Sequence, residues 1–186
     1  PQLQAPLTQP GVHVAEGEYL LEVNGVDVSA SEEVFKYFEA TAGKQTVIKV
    51  GPAPDGSSAR VVTVVPVPNE SGLRNLAWIE QNRKRVEEAS GGKIGYIYVP
   101  NTGLNGQDDL FRQFYGQRHC DALIIDERWN GGGQIPTRFI EMLNRPITNY
   151  WARPHGRDWP WPPDGHQGPK CMLINGAAGS GGDAFP

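Results

Sequence analysis

Two short apolar runs, each followed by a glycine-rich loop, constrain most strongly what this chain can fold into. The runs are "DALIID" at 121–126 and "KCMLIN" at 170–175. Continuous apolar runs of this length are typical of strands that are buried on both faces. Each run leads through its loop, "ERWNGGGQ" or "GAAGSGGD", towards a helix, and strands that alternate with helices predict a parallel sheet. Open α/β sheets bind ligands at the carboxyl ends of their strands, where both loops are expected to lie.

The residues around these runs extend the alternation. "KIGYIYVP" predicts a strand, and "GQDDLFRQFYGQ" predicts a helix with Leu110, Phe111 and Phe114 facing inward. "PTRFIEMLNRP" predicts a second helix, whose first turn accommodates Pro136. The segment 150–169, "YWARPHGRDWPWPPDGHQGP", is predicted to be a long irregular loop.

Residues 1–68 have a different character and predict a small β-rich domain. "EYLLEVNGVDV" predicts two strands joined by Asn24-Gly25, a pair that supplies the positive φ angles of a tight hairpin turn. A helix is expected next, with Ser31 as its N-cap. Its apolar face is formed by Val34, Phe35 and Phe38. "KQTVIKVG" and "ARVVTVVPV" predict two further strands, and apolar residues at helical spacing predict a linker helix within 69–92.

Composition and charge exclude several classes of protein. The net charge is −4, whereas a nucleic-acid binder needs a strong basic face. No apolar run approaches the roughly 20 residues that a membrane-spanning helix needs. The only methionines are Met142 and Met172, so the chain is expected to be processed or to be a piece of a longer protein. Cys120 and Cys171 are expected to be reduced thiols of an intracellular protein rather than a disulfide or a metal site.

The two glycine-rich loops have three competing interpretations. They are tight turns that need positive φ, or nucleotide-binding loops, or parts of a site for acyl chemistry. Nucleotide binding is disfavoured because neither loop contains G-x-G-x-x-G or Gly-Lys-[Ser/Thr]. In the acyl-chemistry interpretation, Ser180 lies at a strand-to-helix elbow that exposes its hydroxyl. The Gly181 amide and a second amide from the neighbouring loop would then bind the oxyanion.

The two loops in combination resemble a known family. "ALIIDERWNGGG", followed by "GPKCMLINGAAGSGGDAFP", is similar to the serine peptidases of the tricorn protease type, which belong with the carboxyl-terminal processing proteases. "APLTQPGVHVAEGEYLLEVNGVDV" resembles the PDZ module of those enzymes, and "VEEASGGKIGYIYVP" resembles the join between that module and their catalytic core. The resemblance covers nearly the whole chain.

The resemblance implies roles for individual residues. Ser180 matches the nucleophile that forms an acyl-enzyme, and Gly181 matches one amide donor of the oxyanion hole. The other donor comes from the "NGGG" loop, with Gly132 and Gly133 as the candidates. Asp126 and Arg128 match the D-x-R pattern that precedes this loop in the family, and the role implied for them is structural, namely to hold the loop.

A nucleophilic serine needs a general base, and the resemblance implies that the base lies outside this chain. In the tricorn type a histidine precedes the PDZ module and a glutamate follows the nucleophile, so the chain alone is expected to be inactive. None of the four histidines is favoured as the base: His13, His119, His155 and His166. Asp158 is a weak candidate for substrate binding. A metal site built from His155, His166, Asp158 and Asp164 is not expected, because their spacing matches no ligand pattern.

The implied fold class is α+β or α/β, and the implied parent is a serine endopeptidase. A small PDZ-like domain at 1–68, with its first strand expected to be missing, is followed by a linker helix at 69–92. Part of a ClpP/crotonase-like βαβ catalytic core follows at 93–186, incomplete at both ends. The parent is expected to be a cytoplasmic homo-oligomer that cuts peptides without a cofactor and has no nucleic-acid or membrane partner. Two alternatives stay open: a non-catalytic PDZ-containing binding or scaffold protein, and a crotonase-like acyl-handling enzyme that needs no serine.

Overall fold

The computed structural model describes residues 5–186, which form a mixed α/β structure with several β-sheets. The chain divides into two compact units, Pro1–Ala77 and Trp78–Pro186. Within the part of the chain that is described, no helix combines the length and the apolar character that a bilayer crossing requires.

The first unit is built on a four-stranded antiparallel sheet with the order β2-β1-β3-β4. The strands are β1 (Tyr19–Val23), β2 (Val26–Asp27), β3 (Thr46–Gly51) and β4 (Arg60–Val64). Asn24 and Gly25 turn β1 into β2 with φ angles of 49° and 80°, so the predicted hairpin is confirmed. Alternate side chains of the strands form the core of this unit: Val23, Ile48, Val50 and Val64.

The helix predicted to begin at Ser31 is wrong in type and extent. A short 3₁₀ helix spans Val34–Phe38, and the residue at its N-cap is Glu33. Only Phe38 of the predicted apolar face packs against the core, while Phe35 is 67% exposed. Without a continuous apolar stripe, tertiary packing does not stabilise a longer helix.

The helix α1 (Ser71–Ser90) contains the boundary between the units, and the second unit continues from it. The elements that follow are β5 (Ile94–Tyr98), α2 (Leu104–Gln117), β6 (Ala122–Asp126), α3 (Pro136–Leu143), β7 (Asn149–Trp151), β8 (Trp159–Trp161), β9 (Lys170–Leu173) and α4 (Gly181–Ala184). Pro136 occupies the first turn of α3, as predicted.

The predicted parallel sheet is confirmed. Its order is β5-β6-β9, with Ile97 opposite Ile125 and Ile125 opposite Met172. The central strand β6 therefore ends beside β9, and the two glycine-rich loops leave the same edge of the sheet. The core on one face of this sheet contains Ile97, Val99, Leu110, Phe114, Leu123, Ile125, Phe139, Met142, Leu143 and Phe185.

The segment predicted to be an irregular loop instead contains the antiparallel hairpin of β7 and β8. Tyr150 pairs with Pro160, and Trp151 pairs with Trp159. Aromatic residues favour strands, and proline is tolerated because each strand of this pair has an unpaired edge. Their ring contacts, such as Trp151 against Trp161 at 5.6 Å, add to the pairing.

The two cysteines are free thiols. Cys171 lies opposite Ile124 on β6, whereas Cys120 precedes the start of that strand. Cys120 and Cys171 are therefore separated by four residues along the strand direction, or about 13 Å, which is too far for a disulfide. The expectation of reduced thiols agrees with this geometry.

Candidate active site

Ser180 occupies a strained turn between β9 and α4. Its backbone angles are φ 57° and ψ −118°, a region that residues with a side chain rarely adopt. It stands at the N-cap of α4, yet its hydroxyl makes no capping hydrogen bond. A serine at this position usually caps the helix, so the turn leaves an exposed hydroxyl available for other chemistry.

Asn130 holds the loop that follows β6 against both neighbouring strands. Its side-chain amide donates to the carbonyl oxygen of Val99 at 3.2 Å, and its backbone oxygen accepts the Gly179 N–H at 3.2 Å. The side-chain oxygen of the same residue accepts the Gly132 N–H at 2.8 Å. Asn130 is fully buried, so these bonds satisfy polar groups that would otherwise be costly. One asparagine therefore joins the ends of three strands.

The "NGGG" loop lies in direct contact with the Ser180 turn. A Cβ atom placed on Gly132 would lie 2.8 Å from the Ser180 Cβ, and a Cβ atom on Gly181 would lie 2.2 Å from the Gly133 oxygen. Both distances are shorter than real contacts allow, so these positions accept only glycine without a shift of the backbone. The close approach brings Ser180, Gly181, Gly132 and Gly133 together, as the sequence predicted for neighbouring loops.

The backbone amides of these glycines differ in availability. The Gly132 amide is used by Asn130, and the Gly131 amide donates to the Pro100 oxygen at 3.0 Å. Within residues 5–186 no acceptor is bound to the amide of Gly133, and the Gly181 amide stands at the first position of α4, where no helical acceptor exists. Of the two predicted candidates in the "NGGG" loop, the geometry therefore favours Gly133 over Gly132.

Asp126 and Arg128 form an ion pair at the end of β6. Arg128 donates from Nε to Oδ1 at 2.9 Å and from a terminal nitrogen to Oδ2 at 2.6 Å, and the Tyr96 hydroxyl also donates to Oδ2. Burial alone raises the pKa of the Asp126 carboxyl, but these bonds outweigh it and hold that pKa below its ordinary value. The guanidinium also stacks on Trp78 and Trp129, which fixes the chain just before the "NGGG" loop.

Glu127 is a buried acid that no motif in the sequence singles out. Its side chain is 1% exposed, and within the described residues its Oε2 has no hydrogen-bond partner. Burial, together with the negative charges of Asp183 and Asp126, raises the pKa of Glu127 to about 7. The carboxyl is therefore close to half-protonated near neutral pH.

Neither histidine of the parallel-sheet region faces Ser180. His119 and His166 lie at the amino ends of β6 and β9, where the His166 Nε2–H donates to the Cys120 oxygen at 2.9 Å. Strands of this length span about 16 Å, so neither imidazole reaches the opposite edge of the sheet. His155 and Asp158 lie in the turn between β7 and β8, where Asp158 is exposed.

The described residues contain no group of three or more His, Cys, Asp or Glu side chains that could hold a metal ion. Asp164, one of the acids near the histidines, instead pairs with Arg145 and accepts the Tyr115 hydroxyl at 3.1 Å.

Besides Glu127, two residues of the site were missed from the sequence, Asn130 and Thr102. Both are fully buried and polar, and each follows a strand of the parallel sheet at its carboxyl end. Their position after "KIGYIYVP" and "DALIID" is the signal that could have found them, because polar residues at those strand ends meet at one edge.

The chain is similar to proteins of one family in each comparison with known proteins. Residues 1–69 match the family model of the tricorn protease PDZ domain. The chain is 34% identical over 184 residues to Tricorn protease homolog 1 of Streptomyces coelicolor, which aligns 98% of this chain with 17% of that protein. It is 31% identical over 168 residues to the tricorn protease of Thermoplasma acidophilum, covering 90% of this chain and 16% of that protein.

The crystal structure of the tricorn protease matches with a TM-score of 0.85 at 28% identity, covering 98% of this chain and 18% of that one. This chain thus spans about a sixth of the length of these relatives. Fold and relatives together place this chain among mixed α/β proteins whose relatives are named proteases. More narrowly, the chain belongs to the tricorn protease family.

Proposed function

We propose that this chain supplies the nucleophile and the oxyanion-binding amides of a serine endopeptidase. The observation that carries the proposal is the strained, uncapped Ser180 turn, pressed against the glycines of the neighbouring loop. Strain at a single exposed residue is typical of functional sites, because packing elsewhere must maintain it. A scaffold protein would have no need to keep this conformation.

In the proposed reaction, the Ser180 hydroxyl attacks the carbonyl carbon of the scissile peptide bond. The negative charge that develops on the carbonyl oxygen is bound by the amides of Gly181 and Gly133. The C–N bond then breaks, the amine leaves with a proton, and water hydrolyses the ester on Ser180. Gly132 contributes close contact instead of a hydrogen bond, since its amide is used by Asn130.

The general base is proposed to come from outside this chain, because His119 and His166 lie at the far end of the sheet. We therefore expect the 186-residue chain alone to be inactive. The first region, 1–68, is proposed to be a PDZ-like domain, 69–92 a linker helix, and 93–186 part of the peptidase core. Peptide substrates, a homo-oligomeric parent and a cytoplasmic location belong to the same proposal.

Labelling with a fluorophosphonate probe tests the nucleophile. The full-length protein that contains this chain is expected to form one adduct at Ser180, and Ser180→Ala is expected to abolish both labelling and peptide cleavage. Ser58→Ala is a matched control, because Ser58 is also exposed and has a positive φ of 59° but lies in the first unit. Cleavage that survives in Ser180→Ala would contradict the proposal.

A further inference from the structure

We infer that Thr102 is a positioning residue that sets the geometry of the two oxyanion amides; this inference rests on the proposed function of Ser180. Thr102 lies in the loop between β5 and α2, at the same edge of the sheet as the two glycine-rich loops. It is fully buried, so it cannot contact a peptide substrate itself. Its role must therefore act through its neighbours.

The backbone of Thr102 forms two hydrogen bonds with the "NGGG" loop and the residues that follow it. Its N–H donates to the Gly132 oxygen at 3.0 Å, and its carbonyl oxygen accepts the Ile135 N–H at 3.1 Å. A Cβ atom on Gly133 would lie 2.2 Å from the Thr102 carbonyl carbon, which shows how closely the two segments pack. The loop is thus held at two points by one residue of the loop between β5 and α2.

The bond to the Gly132 oxygen also controls the direction of the Gly133 amide. The two groups belong to one planar trans peptide, so the N–H points opposite to the C=O. Both flanking residues are glycines with positive φ, 79° and 156°, and glycine imposes little steric preference on the rotation of this peptide. The hydrogen bond from Thr102 therefore selects the orientation in which the Gly133 amide faces away from Thr102.

The side chain of Thr102 positions the second amide. Its hydroxyl has no hydrogen-bond partner among the described residues, and it would lie 2.2 Å from a Cβ atom on Gly181. The hydroxyl oxygen therefore lies beside Gly181, on the side where a Cβ atom would stand, and it can accept a weak C–H···O contact from the Gly181 Cα. A methyl group in its place is larger and cannot accept such a contact, so it would displace Gly181 and its amide.

Three substitutions of Thr102 separate this role from general packing. Thr102→Val replaces the hydroxyl with a methyl group, Thr102→Ser keeps the hydroxyl, and Thr102→Ala removes it without added bulk. In the full-length protein, kcat and KM are measured with a fluorogenic peptide amide that the wild type cleaves, and the rate of fluorophosphonate labelling is measured alongside. A shift of a few tenths of an ångström in an oxyanion donor is expected to lower kcat about tenfold or more in Thr102→Val.

The expected pattern is a loss in kcat with KM within about twofold of the wild type, because the amides act on the transition state. Thr102→Ser is expected to retain kcat within about threefold, and Thr102→Ala is expected to fall between Ser and Val. Thr137→Val is a matched control, since Thr137 is exposed on α3. Circular dichroism and Tm identify the variants that fold.

Each outcome decides the inference. A folded Thr102→Val with unchanged kcat, a Thr102→Ser as impaired as the valine variant, or parallel changes in kcat and KM would overturn it. If Thr102→Val does not fold, an unchanged kcat in Thr102→Ala overturns the inference and a reduced one supports it. The proposed function fails separately, by activity that survives in Ser180→Ala.

Discussion

Replacing Glu127 with glutamine is expected to make the stability of this chain less dependent on pH. The folded-state pKa of Glu127 is raised from the ordinary 4.5 to about 7, chiefly by burial and then by the charges of Asp183 and Asp126. Folding therefore favours the protonated acid. Its contribution is fully present below the unfolded-state pKa and is lost as the pH rises through the folded-state pKa.

The size of the effect follows from the two pKa values. A rise from 4.5 to about 7 corresponds to about 3 kcal/mol of unfolding free energy, lost mainly between about pH 5 and about pH 8. The side chain is only 1% exposed, so solvent screening does not reduce this figure greatly. Glutamine fills nearly the same volume without ionising, and this part of the pH dependence is expected to disappear.

Urea unfolding at a series of pH values measures the difference. The free energy of unfolding of the wild type is expected to fall relative to Glu127→Gln as the pH rises, whereas Glu141→Gln, at an exposed position on α3, is expected to follow the wild type. Asp183→Asn is expected to move the wild-type transition to lower pH, because it removes a nearby negative charge. Equal losses of stability in the wild type and in Glu127→Gln would refute the reasoning.

Two further substitutions test the site and its support. Gly181→Ala is expected to destabilise the chain by about 1–3 kcal/mol and to abolish labelling of Ser180 in the full-length protein, because the added Cβ collides with the Gly133 oxygen. Gly176→Ala is the control: its added Cβ would have no atom within 4 Å, so neither stability nor labelling is expected to change. Arg128→Met is expected to lower the free energy of unfolding, measured with urea, by about 3 kcal/mol, because it leaves the buried Asp126 carboxylate without its ion-pair partner. A loss below about 1 kcal/mol would contradict this view of the pair.

The sheet could be predicted from the sequence because its signals are local. The apolar runs that form β5, β6 and β9 are bounded by polar and glycine residues. Strands that alternate with helices in this way are typical of βαβ units, in which the strands pair in parallel. The meeting of the two loops at one edge follows from that pairing. The hairpin of β7 and β8 was missed because prolines within a run of aromatic residues usually indicate a loop.

The parts of the site that the sequence did not predict depend on contacts between distant residues. Whether the Gly132 or the Gly133 amide is available depends on where the Asn130 side chain points. The raised pKa of Glu127 depends on burial, and the proposed role of Thr102 depends on its contact with Gly181. No local pattern of residue types encodes these pairings, so only the folded arrangement could reveal them.

The parallel pairing of β6 with β9 also has a consequence for the order of folding. Leu123 pairs with Lys170, and the chain between them includes α3 and the hairpin. Closing so long a loop costs chain entropy before any contact repays it, so this non-local pairing is slow to form. An intermediate in which only β5 and β6 have paired would have an ordered "NGGG" loop but no Ser180 beside it. We therefore expect the proposed nucleophile and its partner amides to come together only in the late step that completes the sheet.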